Sequence, residues 1–181
     1  MKTDVNLELY HRLLHPYNAT LVSCTDKDGK PNVLAIAWII PVSVNPPLLA
    51  MSIRPERHSH RLISETKEFV VNIPTFQLAK KVLGCGKLSG REYDKFKELA
   101  LETQNAKKVT SPIIKDCIAH IECKLIKSFE LGDHTLMIGK VVSAYVVKEY
   151  FEEVYDLSKV RLCLHVGKDY FTTCERTLSS P

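Results

Sequence analysis

Seven consecutive residues, Arg54-Pro55-Glu56-Arg57-His58-Ser59-His60, hold two arginines, two histidines and a serine directly ahead of the helical spacing Leu62, Ile63 and Thr66. These residue types bind anions. Ser59 is placed as a helix N-cap, and the free N–H groups and partial positive end of a helix N-terminus suit a phosphate guest. Arg54 and Ser52 would add charge and a hydroxyl donor to that site. The spacing is no named phosphate motif, so a solvated loop with an ordinary cap remains the alternative reading of the same residues.

Other groups with chemical potential are scattered. His11 and His15 stand four apart, a metal-ligand spacing, but no cysteine or carboxylate lies at ligand distance in sequence, so a surface or capping role is expected and no metal. The six cysteines, Cys24, Cys85, Cys117, Cys123, Cys163 and Cys174, form no C-x-x-C pair and read mostly as small buried hydrophobes. Cys85, between Gly84 and Gly86 in an expected loop, is the one placed for exposure and reactivity. The glycine-bearing run Gly84 to Gly90 follows a helix instead of a strand and fits neither a Walker loop nor a dinucleotide fingerprint, which excludes an ATP site. His165, alone on an apolar strand, reads as a hydrogen-bonded core histidine. Trp38, the single tryptophan, fits either core packing or a ligand wall.

The elements that must position these groups follow from punctuation and periodicity. Leu7, Tyr10, Leu13 and Leu14 share one helical face that Pro16 closes. Ala19–Thr25, the turn Asp26–Pro31 and the run from Val33 to Ile40 make a β-hairpin, ended by Pro41, which cannot donate to a sheet. After the Pro46-Pro47 corner come a strand over Leu48–Ile53, a helix around Leu62–Lys67 and a strand Phe69–Ile73. Helical spacing returns over Gln77–Leu83 and Glu92–Leu101. A second long hairpin pairs Cys117–Ser128 with Leu136–Val147 around a turn at Leu131–Thr135, with His134 solvated at its tip, and Leu162–Val166 is a last strand. Tyr150–Asp156 carries no functional reading. About half a dozen strands suffice to close a small antiparallel barrel with flanking helices, a mainly β fold. The arm ending at Trp38, Ile39, Ile40, Pro41, Val42 and Ser43 then reaches the barrel mouth, where its N–H groups can face a ligand.

A chain of 181 residues suits one domain over residues 1–181, and 45% apolar with 25% charged residues describes an ordinary globular protein. A net charge of +4 without like-charge blocks argues against a nucleic-acid or membrane surface. Acidic residues near the amino terminus and the lack of an 18-residue apolar run lead to the expectation of a cytoplasmic protein.

Five ordered motifs carry a resemblance over most of the chain: A-W-I-I-P-V-S with the Pro-Pro corner, the S-I-R strand end with Ser59 downstream, E-T-K-E-F-V-V-N-I-P, S-G-R-E-Y-D-K-F, and H-V-G-K-D-Y. The chain resembles the flavin reductase-like, FMN-binding split-barrel family, the flavoredoxin group in particular. The resemblance implies an antiparallel split β-barrel and a homodimer with FMN held noncovalently at its interface. It places the phosphate at Ser52, Ile53, Arg54 and Ser59, and the flavin ring near Trp38 to Ser43. Ser89 and Gly90 border the flavin, and His165, the catalytic candidate, lies near flavin and incoming nicotinamide. Ser59 stands where a threonine is usual and keeps the hydroxyl. The implied activity is hydride transfer from NAD(P)H to flavin N5 in a flavin or ferric reductase, and the alternative is a non-enzymatic electron carrier serving a redox partner protein. The lack of paired carboxylates, triad or metal cluster agrees with flavin chemistry, which needs donors, apolar walls and access.

Overall fold

The computed structural model describes residues 1–175. A 3₁₀ helix, Leu7–Leu14, opens the chain where the sequence predicts a helix, and its leucines and Tyr10 stay exposed. It is followed by β1 (Tyr17–Asn18), β2 (Thr20–Thr25), β3 (Pro31–Ile36), β4 (Ile39–Ser43) and β5 (Leu48–Ile53). Then come α1 (His58–Thr66), β6 (Glu68–Ile73), α2 (Ala79–Lys87), α3 (Lys95–Glu98), and the two-residue strands β7 (Thr103–Gln104) and β8 (Ile113–Ile114). The long strands β9 (Ala119–Leu131) and β10 (His134–Val146) precede β11 (Leu164–Gly167) and β12 (Tyr170–Thr172). Seven strands form one antiparallel sheet in the order β3-β2-β6-β9-β10-β5-β4, and β1-β11-β12 form a second, smaller one. The mainly β, antiparallel architecture read from the sequence is the one observed.

Every residue of β2 is buried because both of its faces are covered. Val22 and Cys24 pack with Met51, Phe69, Val71 and Met137 on one side. Leu21, on the opposite pleat, packs with Val33 under Val82 of α2 and Phe96 of α3. This second layer brings α2 and α3 against β3. Three departures from the sequence reading matter. The run from Val33 to Ile40, expected as one strand ended by Pro41, divides into β3 and β4, and Pro41 lies inside β4, which an edge strand tolerates. The expected helix over Glu92–Leu101 shrinks to Lys95–Glu98, because Asp94 caps it late and Ala100 turns to φ 46°. The expected loop at Gly84-Cys85-Gly86 is instead the last turn of α2, where Gly84 lets Leu99 approach so closely that a Cβ would lie 2.6 Å from its Cδ2.

Candidate functional site

A cleft of about 490 Å³ opens where four pieces of chain converge. β3 supplies Asn32, Leu34 and Ile36, the start of α1 supplies Arg57, His58 and Ser59, the end of α2 and its following loop supply Cys85 to Arg91, and the β11–β12 hairpin supplies His165, Lys168 and Phe171. Its volume lies in the range of small-molecule sites. Part of its lining is cationic. α1 begins just after Arg57 with no side chain capping its first turn and no acidic residue in that turn, so the N–H groups of His58 and Ser59 are left for a guest, that of His60 donating to the Arg57 carbonyl at 3.0 Å. Arg57, Arg91 and Lys95 lie near that start, Arg91 donating to the Glu56 carbonyl at 2.9 Å, whereas Lys87 is paired with Asp169 of the β11–β12 hairpin. Ala19, Ile36, Val82 and Phe171 supply apolar wall to the same cleft.

Local contacts hold this geometry. Asn32 donates from Nδ2 to the Ser59 hydroxyl at 2.7 Å, tying β3 to α1. Gly90 presses on that pair so tightly that a Cβ there would strike the Asn32 carboxamide and lie 3.1 Å from the His58 ring. Lys95 is 6% exposed, and its ammonium donates to the carbonyls of Val33 and Cys85, both at 2.8 Å. Burial, aided by Arg57, lowers its pKa. Burial, then the charges of Arg61, Arg91 and Lys95, hold the His58 imidazole below its ordinary value. His165 Nε2 donates to the Lys168 carbonyl at 2.9 Å, which fixes the orientation of the ring.

The sequence-predicted site residues divide. Ser59, Ser89, Gly90 and His165 line the cleft. Ser59 sits inside the first turn of α1, one residue past the helix start, so it is not the N-cap. Trp38, Ile39, Ile40, Pro41, Val42 and Ser43 lie outside the cleft of the single chain, on or beside the edge strand β4. There Ile40 and Val42 are exposed, and the Trp38 ring stacks on His134 at 4.9 Å and meets His11 edge-on at 5.6 Å. His134, expected merely solvated, is thus a packing partner. Ser52, Ile53 and Arg54 also lie outside. The reason is register: Ile53 pairs with Thr135 of β10, which sets Arg54 beside the β9–β10 turn, where Asp133 takes its guanidinium at 3.0 Å. Cys85 lines the cleft wall but is 1% exposed, and burial pushes its thiol up to about 11, so the exposure that a loop position would have allowed is not found.

Asn32, Arg91 and Lys95 were not singled out from the sequence. Asn32 sits next to the turn that starts β3, and nothing local marks its side chain as aimed at a residue 27 positions on. Arg91 and Lys95 carried a signal, since both lie inside the motif S-G-R-E-Y-D-K-F already associated with the flavin.

Residues 11–169 match the flavin reductase-like domain family. An uncharacterised protein of Archaeoglobus fulgidus is 44% identical over 113 residues, 62% of this chain and 64% of that one, so the match spans a little under two thirds of that relative's length. A flavin reductase of Pseudomonas putida is 32% identical over 136 residues, 75% of this chain and 76% of that protein. The crystal structure of flavoredoxin from Methanosarcina acetivorans superposes with a TM-score of 0.88 at 26% identity, covering 99% of this chain and 95% of that one. With the match extending from the opening helix to the β11–β12 hairpin, the chain belongs to the flavin reductase-like domain family and has its split-barrel fold.

Proposed function

We propose that residues 1–181 are one flavoprotein domain that binds FMN in this cleft, and that the protein is an NAD(P)H-dependent flavin or ferric reductase acting as a cytoplasmic homodimer. The observation that carries the reading is the uncapped start of α1, with Arg57, Arg91 and Lys95 near it, in a cleft that Ile36, Val82 and Phe171 also line with apolar surface. A phosphate and an isoalloxazine ring need those two environments side by side. Bound flavin supplies hydride acceptance and electron transfer. The chain's residues bind and orient: Arg57 and Arg91 balance the phosphate charge, while Ile36, Val82 and Phe171 exclude water from the ring. His165, fixed by Lys168, faces the same cleft, and we assign it the nicotinamide side. The exposed apolar side chains of the opening helix and β4, among them Leu7, Leu13, Ile40 and Val42, supply the surface on which a second copy would pack.

The likeness to flavoredoxin favours a second reading, an electron carrier that exchanges electrons with a redox partner protein and oxidises no nicotinamide itself. The test is an anaerobic titration of flavin-loaded protein with NADH and with NADPH, followed by bleaching of the flavin band. Bleaching by either nicotinamide supports the reductase, and a loaded protein that both leave oxidised is a carrier. A colourless preparation that does not take up added FMN removes both.

A further inference from the structure

His58 stands between two cavities. It lines the main cleft and also a second hollow of about 280 Å³ formed by Asp26, Lys30, Asn32, Leu62, Gly90 and Arg91. Its Nδ1 is shielded from solvent and has no hydrogen-bond partner among the described residues. A buried nitrogen left unpaired costs free energy, so an unfilled bond of this kind is expected where a ligand completes the site.

The charges facing the ring come from every neighbouring element. Arg57 and Arg61 lie on α1, Arg91 on the loop after α2, Lys95 on α3, and Lys30 and Asp26 on the β2–β3 turn, with Glu56 just ahead of α1. Cations dominate, and among the described residues none of these carboxylates bonds the ring. Asp26 is occupied in its own turn, accepting from the N–H groups of Asp28 and Lys30. Glu56 reaches toward Arg54 at 3.7 Å. Burial, then this cationic field, lower the pKa of the ring and so disfavour its charged form. An arriving phosphate offsets most of that cationic surplus and brings an acceptor to the ring.

We propose that His58 is a specificity residue of this cleft, taking up one proton as a phosphomonoester binds and then bonding it as an imidazolium. The inference rests on the reading of the cleft as an FMN site. It assigns the cleft a preference for the phosphorylated flavin that strengthens on acidification. Below the empty-state pKa the ring is already charged and binding is tightest. Affinity then falls as pH rises toward the bound-state pKa, by about tenfold for each unit between the two.

The experiment is calorimetric titration of the flavin-free protein with FMN, riboflavin and inorganic phosphate from pH 5.5 to 8, in two buffers of unlike ionisation enthalpy. The phosphate group itself ionises near pH 6 and, entering a cationic site, releases protons, so it works against the expected sign. Wild type should take up more protons per FMN than His58→Gln, by up to one, while riboflavin shows no difference between the two proteins. Ring ¹⁵N shifts of His58 in the wild type, moving to imidazolium values on FMN addition near pH 7, give the same answer without a variant. Equal proton uptake in both proteins, or His58 shifts that stay neutral with FMN bound, overturns the proposal. Protein that binds riboflavin and FMN equally, with no phosphate binding, overturns it while leaving a flavin site. Protein that binds neither flavin but takes up protons through His58 on adding phosphate keeps it and removes the FMN reading.

Discussion

At the scale of single residues, the cationic groups that matter are those the backbone turns inward. Arg54 leaves β5 on the outside and is neutralised by Asp133, whereas Arg57 and Arg91 line the cleft. Charge-assisted bonds to phosphate contribute about 1.5–3 kcal/mol each. Arg57→Ala and Arg91→Ala should therefore each weaken FMN by roughly ten- to a hundredfold and riboflavin far less, and Arg54→Ala should leave both affinities unchanged. Fluorescence quenching of each flavin on titration with the three variants checks this, and a large loss in Arg54→Ala would return the phosphate to the strand end. The loop's residue types were legible as anion-binding from the sequence. Which arginine faces the cleft was not, because one strand register sets Arg54 beside Asp133.

At the scale of elements, the cleft depends on how closely the loop after α2 approaches the start of α1. Gly90 has no room for a methyl group against Asn32 and His58, whereas at Gly86 the nearest neighbour of an added Cβ, that of Ala35, lies at 3.8 Å, an ordinary contact. Gly90→Ala should separate the loop from α1, break the Asn32–Ser59 bond and cost about 1–3 kcal/mol, lowering the melting temperature by several degrees and weakening FMN at least tenfold. Gly86→Ala, inside α2, should be neutral or stabilising by up to about 1 kcal/mol. Calorimetric melting of the two variants beside wild type separates these outcomes, and equal destabilisation by both would show that helix geometry, not the Gly90 contact, is the constraint. Two neighbouring glycines look alike in the sequence. Their difference lies in what β3 presents to each.

At the scale of the whole molecule, one buried polar hub joins strands far apart in sequence. Asn72 on β6 donates to the Leu21 carbonyl at 2.9 Å and accepts from the Ile114 N–H and from His120, both at 2.9 Å. His120 is 7% exposed, and burial lowers its pKa from 6.5 to about 4, although Glu122 opposes the shift. The unfolded chain thus binds a proton that the folded chain refuses. The stability from this residue is complete above about pH 6.5 and falls as pH drops toward 4, by roughly 3 kcal/mol in all. Urea unfolding across that range should show this slope in wild type and its loss in His120→Asn, and identical slopes would remove His120 as the cause. The exposed apolar faces of the opening helix and β4 carry the remaining prediction: sedimentation velocity should give twice the chain mass, and Ile40→Asp with Val42→Asp should give the monomer. A wild-type monomer would leave those faces without the second copy. The β2–β3 hairpin, the long β9–β10 hairpin and the residue types of the loop before α1 followed from the sequence alone, because alternation, β-branched runs and turn residues act on near neighbours. The pairing of β5 with β10, the burial of Lys95 and Cys85, and the meeting of Asn32, Ser59 and Gly90 were decided only in three dimensions. Each depends on contacts between segments tens of residues apart, whose energies no local pattern records.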